Sequence, residues 1–266
     1  MSIWGWLLQW FRQRVHRAPR HLGRIHSGGP QPGPLTSYLL SPLPPAPAKW
    51  MPFRFMFWGI FGNDRWGDCT FASLAHCWMA LARLLKQPFR LTNNAVISAY
   101  RIYCEVYNGG RDAGSYPQTV LQNWHVKGMW GTKLAAWAPI DYTNPEEVRQ
   151  VIASFGCLSA EVQLPKPAYT YQMGKNFISF KSPVWKLTGT ADDNVIVGGH
   201  EIAVIGYDTR YIYAVSWGVV VRITPAWWAK YVVGATALVV PSIVTAGGFR
   251  GLKIDALEAD CAKLAA

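Results

Sequence analysis

Three observations predict an α+β fold, with helices first and a twisted antiparallel sheet after them. Between Asp68 and Val126 the apolar residues recur at helical spacing. Asn144-Pro145-Glu146-Glu147 is a helix start, with Asn at the N-cap and Pro at the first helical position. From Leu158 onward, apart from short helices, the pattern changes to β-rich runs separated by turn residues. Helices grouped before strands give an α+β order rather than the alternation of a parallel sheet.

The elements follow in order. Cys69 to Leu85 is a long apolar run stopped by Pro88, which suits a helix buried on most sides. A second helix is expected from Asn93 to Tyr107. Gly109, Gly110 and Gly114 break the chain before a short helix over Pro117 to Val126, with Val120, Leu121 and Trp124 inward. Val148, Val151, Ile152 and Phe155 continue the helix capped by Asn144, and Gly156 closes it. Leu158, Ala160, Val162 and Leu164 alternate as a strand. His200–Tyr207 and Tyr211–Trp217 form a hairpin about Asp208-Thr209-Arg210, and Val219–Ile223 extends the sheet. A helix over Ala226–Tyr231 and a strand over Ala235–Val240 complete it. Four regions result: a basic Trp-rich amphipathic arm over 1–27, a Pro/Gly-rich linker over 28–50, the folded domain over 51–243, and a tail with a short helix over 244–266.

Charge sets the arm apart. Of the net +11, seven positive charges and no acid fall before residue 64. A nucleic-acid-binding core is therefore disfavoured, while the arm is suited to docking on a protein assembly, an anionic membrane surface or nucleic acid. Trp4, Leu7, Leu8, Phe11 and Val15 recur at helical spacing ahead of the arginines, the reverse of a secretory signal. No apolar run is long enough to span a membrane. The five cysteines are odd in number and contain no CxxC pair, which argues against a disulfide framework and for a reducing compartment, a bacterial cytoplasm or a phage virion. Cys77 and Cys104 are expected in the core, Cys157 at the start of a strand, and Cys261 in a terminal helix at the surface. No cofactor or metal is called for: His16, His21 and His26 recur every five residues, which fits no helical ligand set, and Asp192-Asp193-Asn194 reads as a turn.

The chemistry concentrates at two places. Gly62-Asn63-Asp64-Arg65-Trp66-Gly67-Asp68-Cys69 is a glycine-broken loop ending in a cysteine that opens a long helix. Backbone amides and the macrodipole at a helix N-terminus favour a thiolate, and the Cys69 amide is free to donate to an oxyanion. Asn63 can offer a second donor from its side chain. The matching base is His200, at the start of an apolar strand after Gly198-Gly199 and 131 residues beyond Cys69. That distance is within the roughly 130–150 residues between such partners in one group of cysteine peptidases.

With these residues in view, the stretch from Phe53 to Val240 resembles the papain-like cysteine peptidase superfamily. It is most similar there to a bacterial and phage group with a Gly-Asn-Asp-x-x-Gly-Asp-Cys loop and a Gly-Gly-His strand. Asp112-Ala113-Gly114, Ala138-Pro139-Ile140-Asp141 and Ser216-Trp217-Gly218 occur in the expected order. The resemblance implies a papain-like fold, a helical subdomain carrying the nucleophile helix against the sheet. It also implies Cys69 as nucleophile, His200 as general acid/base and Asn63 in the place of an oxyanion-hole glutamine. Its third catalytic residue, an asparagine two before Trp217, is Val215 here, with Ser216 the nearest polar substitute. Trp66 stands where a disulfide cysteine is usual.

The function expected is thiol-dependent hydrolysis of a peptide or isopeptide bond, with a peptide or protein as substrate. Cell-wall amidases share an Asp-Cys start but place their histidine sooner. The non-enzymatic alternative is a papain-like scaffold with weak or lost chemistry that serves as a structural or interaction protein, for example in a phage particle. A peptidase predicts an open cleft with sulfur near imidazole; a scaffold predicts a buried or misaligned Cys69.

Overall fold

The computed structural model describes residues 22–25, 29–53, 56–87, 89–173, 183–240 and 251–264. The amphipathic helix expected over the first part of the arm, with His16, His21 and His26, lies outside them.

Seven helices and seven strands are formed among the described residues. Helix α1 (Cys69–Leu84) is followed by α2 (Asn93–Tyr107) and α3 (Pro117–Val126). Strand β1 (Ala136–Pro139) leads into α4 (Pro145–Phe155), β2 (Leu158–Pro165) and α5 (Lys166–Met173). Then come β3 (Val184–Trp185), β4 (Ile196–Tyr207), β5 (Ile212–Ser216) and β6 (Val219–Ile223). Helix α6 (Pro225–Tyr231), β7 (Val232–Val239) and α7 (Ile254–Lys263) close the chain. The strands make one sheet in the order β1-β7-β2-β4-β5-β6-β3. Every pairing is antiparallel except β3 with β6, a short parallel edge that the sequence pattern did not announce.

Local chemistry explains the elements that frame the site. The Asn144 side chain accepts from the Glu146 and Glu147 amides, and Gly156 ends α4 at φ 87°, a left-handed conformation that costs glycine nothing. Helix α1 buries nearly every residue from Cys69 to Ala82, because it packs on β4 and β2 with α2 and α3 outside it. A helix so enclosed needs apolar residues all round. Its first residue, Cys69, is thereby fixed against the sheet.

Two boundaries differ from the periodicity. Strand β4 begins at Ile196 rather than His200, since the glycines at 198 and 199 still pair with β2 at Leu164 and Gln163. Strand β7 begins at Val232, directly after α6. Cys261 was expected at the surface and is buried: α7 lies on β1, and its thiol donates to the Trp137 carbonyl at 3.5 Å. Residues 29–50 run along the domain and bury Leu35, Tyr38 and Leu43. Tyr38 donates to Asp260 on α7 at 2.8 Å, and Trp50 exchanges both backbone hydrogen bonds with Tyr207 at the end of β4. No helix among the described residues is long and apolar enough to cross a membrane.

Candidate active site

Cys69 is the first residue of α1, behind a loop tied from two sides. The Gly67 amide donates to both oxygens of Asp112, at 3.0 and 3.3 Å, and the Tyr100 hydroxyl donates to the same carboxylate. Tyr100 in turn accepts from the Gly114 amide at 3.0 Å. The loop before the cysteine and the 112–115 segment are thus fixed relative to one another. The Asn63 side chain lies in this loop, where its amide donates to the Trp66 carbonyl at 3.3 Å. Asp68 is buried, and burial pushes its carboxyl up to about 8, so it is mostly neutral at pH 7.

His200 stands on β4, against which α1 packs. Its Nε2 is 3.0 Å from the Ser216 hydroxyl at the end of β5. Its ring stacks on Trp217 with centroids 4.2 Å apart and planes 15° apart. The stack follows from the turn: Trp217 and Gly218 alone connect β5 to β6, with φ of 47° and 74°. A two-residue hairpin whose central residues both have positive φ matches the right-handed twist of the strands. Here it swings the indole over the imidazole. Val215 is buried in the sheet, so Ser216 is the polar group that holds the ring. The Nδ1 atom of His200 is buried without a hydrogen-bond partner.

The cleft is closed. Residues 22–25 of the arm lie in the groove between the Cys69 loop, the 112–115 segment and β4. Arg24 pairs with Ser115 as a short parallel bridge: Ser115 N–H donates to the Gly23 carbonyl at 2.7 Å, and Ile25 N–H to the Ser115 carbonyl at 3.0 Å. Gly23 is pressed so closely onto Gly67 that a Cβ on it would lie 1.7 Å from the Gly67 carbonyl oxygen. The open cleft expected of a peptidase is therefore absent, and Cys69 is buried, for a reason the sequence pattern did not contain: the chain's own arm covers it.

Burial decides the ionisation of both groups. The Cys69 thiol is pushed up to about 12, although the Gly23 and Glu201 amides beside it pull the other way. A rise of that size is worth about 4 kcal/mol, more than the roughly 2 kcal/mol that a helix N-terminus supplies at best. Burial and the Arg24 charge lower His200 to about 3. With the arm in place, the pair is a neutral thiol and a neutral imidazole.

Arg24, Glu161, Glu201 and Gln118 were not singled out by the sequence reading. Arg24 Nη1 donates to Glu161 Oε2 at 2.7 Å, with side chains 2% and 9% exposed. Gln118 Nε2 donates to Glu161 Oε1 at 3.3 Å. Glu201 is the cross-strand partner of Glu161 and accepts from Ser159 at 2.6 Å. The available signal was a charged residue interrupting an apolar strand, at 161 and again at 201. The other two histidines among the described residues are structural: His76 is buried with Nε2 2.8 Å from the Gly59 carbonyl oxygen, and His125 Nδ1 is 3.0 Å from that of Leu134. In the 192–194 turn, Asp193 accepts from the amides of Thr188 and Gly189.

No protein-family model and no curated protein matches the chain. Solved structures do. Xylellain, a cysteine protease from Xylella fastidiosa, is 12% identical with a TM-score of 0.61, over 84% of this chain and 97% of that one. The fold is that of the papain-like cysteine proteases. Digestive procathepsin L2 from Tenebrio molitor is 11% identical, with a TM-score of 0.57 over 84% of this chain and 79% of its own. The structure of the cysteine protease and lectin-like domains of Cwp84 from Clostridium difficile is also 11% identical. Its TM-score is 0.53, with 87% of this chain and 58% of that one covered. At such identity the likeness is one of fold.

Proposed function

We propose that the chain is a thiol-dependent peptidase of papain type, held shut by residues 22–25, that hydrolyses a peptide or isopeptide bond through an acyl-enzyme on Cys69. The observation that carries this is the division of labour on His200. Its Nε2 is engaged by Ser216 and its ring is fixed by Trp217, while Nδ1 is left without a partner on a strand packed against the helix that begins with Cys69. A base held in this way can take one proton and give it back.

Once the arm is withdrawn, the Cys69 proton moves to His200, and the thiolate is favoured by the exposed helix N-terminus. The sulfur attacks the scissile carbonyl carbon, and the Cys69 amide donates to the oxyanion. Asn63 is the second donor in this reading, which requires its amide to turn from Trp66. The imidazolium protonates the leaving amine as the C–N bond breaks, leaving a thioester. His200 then deprotonates a water that attacks the thioester, releasing the acid and returning the proton to the thiol. Ser216 takes the orienting place usual for an asparagine. Ser216→Ala is expected to lower kcat about tenfold to a hundredfold with little change in KM, because the ring loses one tautomer preference but keeps the Trp217 stack. Steady-state kinetics over a pH series checks this.

The second reading is a papain-like scaffold with weak or lost chemistry, used as a structural or interaction protein such as a phage virion component; the buried Cys69 and Val215 favour it. Alkylation by iodoacetamide with adducts mapped by mass spectrometry separates the two. The peptidase reading expects slow labelling of Cys69 in the native chain. It expects fast labelling once Gly23→Ala displaces the arm, with an apparent pKa well below the free-thiol value of about 8.5, and loss of that reactivity in His200→Ala. Labelling of Cys69 no faster than Cys261 in the displaced chain would leave the scaffold reading standing.

A further inference from the structure

We propose that Glu161 and Glu201 form the floor of a subsite that takes an arginine side chain of the substrate, and that Arg24 of the arm occupies it in the closed form. This deepens the peptidase reading and rests on it for calling the natural occupant a substrate.

Four features make the site. The Arg24 guanidinium is buried and meets Glu161 Oε2 at 2.7 Å, and Gln118 holds the other carboxylate oxygen at 3.3 Å. Glu201 lies directly across the β2–β4 ladder from Glu161, a placement of two acids that is unfavourable unless a cation or a proton separates them. Burial and then the Glu161 charge raise Glu201 to about 8, whereas Arg24 lowers it, so the guanidinium acts on both carboxyls. Glu201 Oε2 is buried with no hydrogen-bond partner, a polar atom of the pocket still unused.

Glycines give the cation its room. A Cβ at Gly199 would lie 3.2 Å from both Nε and Nη2 of Arg24, and 2.5 Å from its carbonyl oxygen. A Cβ at Gly234 would lie 2.9 Å from Glu161 Oε1. Side chains at either position would fill the space that the guanidinium and carboxylate use. The Ser115 backbone supplies the strand-like pairing that brings the side chain to this place, two hydrogen bonds that any peptide can make. The pocket would therefore select by side chain, and its selection is for a planar cation: arginine above lysine, and both above leucine.

The test separates binding from catalysis. The full chain carrying Gly23→Ala, Arg24→Ala and Cys69→Ala removes the arm's own occupant and any turnover. Calorimetry then compares acetyl-Leu-Gly-Arg-Ile-amide with the same peptide bearing citrulline, which has the shape without the charge, or leucine. The arginine peptide is expected to bind about tenfold or more tighter than either, and Glu161→Gln to erase the difference. Ethylguanidinium, which needs the pocket but not the groove, is titrated alongside by NMR against ethylurea, so that an arm still seated does not hide the site. Equal binding of the three peptides, or no binding of any peptide together with no preference for ethylguanidinium over ethylurea, overturns the subsite. Failure of the peptidase reading shows elsewhere, as an unreactive Cys69 in the arm-displaced chain, and leaves the binding result as it is.

Discussion

Gly23→Ala is expected to raise the alkylation rate of Cys69 by about a hundredfold or more, and with it any peptidase activity. The argument is steric. The added Cβ would sit 1.7 Å from the Gly67 carbonyl oxygen, 2.2 Å from its carbon and 2.5 Å from its Cα, all of them backbone atoms. Gly67 cannot retreat cheaply, since its amide is held by Asp112, which Tyr100 also engages. On the other side a Cβ on Gly114 would meet the Gly23 carbonyl oxygen at 2.2 Å, so the strand at Gly23 is confined from both walls. Overpacking against side chains costs about 1–3 kcal/mol, and backbone overlap of this depth is at the upper end or above it. A loss of 3 kcal/mol in arm seating is a factor of roughly 150 in the closed-to-open ratio. The domain core does not include Gly23, so global stability should change little. The measurement pairs Cys69 labelling with thermal unfolding. Unchanged labelling together with unchanged unfolding would mean that the arm does not guard the thiol.

Most of the frame was legible in the sequence, and the reason is local. Helices α1 to α4 follow from apolar spacing and from caps such as Asn144 and Gly156, which act over a few residues. Cys69 stood out because it opens a helix behind a glycine-broken loop, and His200 because it follows two glycines ahead of an apolar run. Ser216 could be named only as the nearest polar residue to Trp217; its contact with His200 depends on the β5–β6 turn and on the register of β5 with β4, neither of which a linear pattern displays. The partner of Arg24 was hidden for a related reason: it meets Glu161, 137 residues away, inside the chain's own cleft. Gly23 carries no periodic signal at all. Its role appears only when Gly67 and Gly114 are brought beside it.

The pH dependence of arm closure should differ between the native chain and Cys69→Ala, and the difference reports whether Cys69 and His200 share a proton. In the closed form His200 is lowered to about 3, below the ordinary histidine value near 6.5, by burial and then by Arg24. A depressed base favours closure above pH 6.5, and that contribution is lost as pH falls towards 3, because the open form then binds the extra proton. Asp68 and Glu201, both raised to about 8 in the closed form, are present in the native chain and in Cys69→Ala alike, so the protons they exchange on opening cancel in the comparison. In Cys69→Ala the open-state imidazole takes its proton from solvent, so closure should weaken by up to about a hundredfold between pH 7 and pH 4. In the native chain the thiol already supplies that proton on opening, and the open and closed forms hold the same number of protons between them. The His200 contribution to the slope should then vanish over pH 5 to 7. Protection factors for the Ile25 and Ser115 amides, which donate across the arm pairing, give the closing constant directly and are blind to the separate titration of buried His76, which acts on global unfolding. Equal slopes in the native chain and Cys69→Ala would mean that no proton passes between the two residues, and the acyl-enzyme route would lose its base.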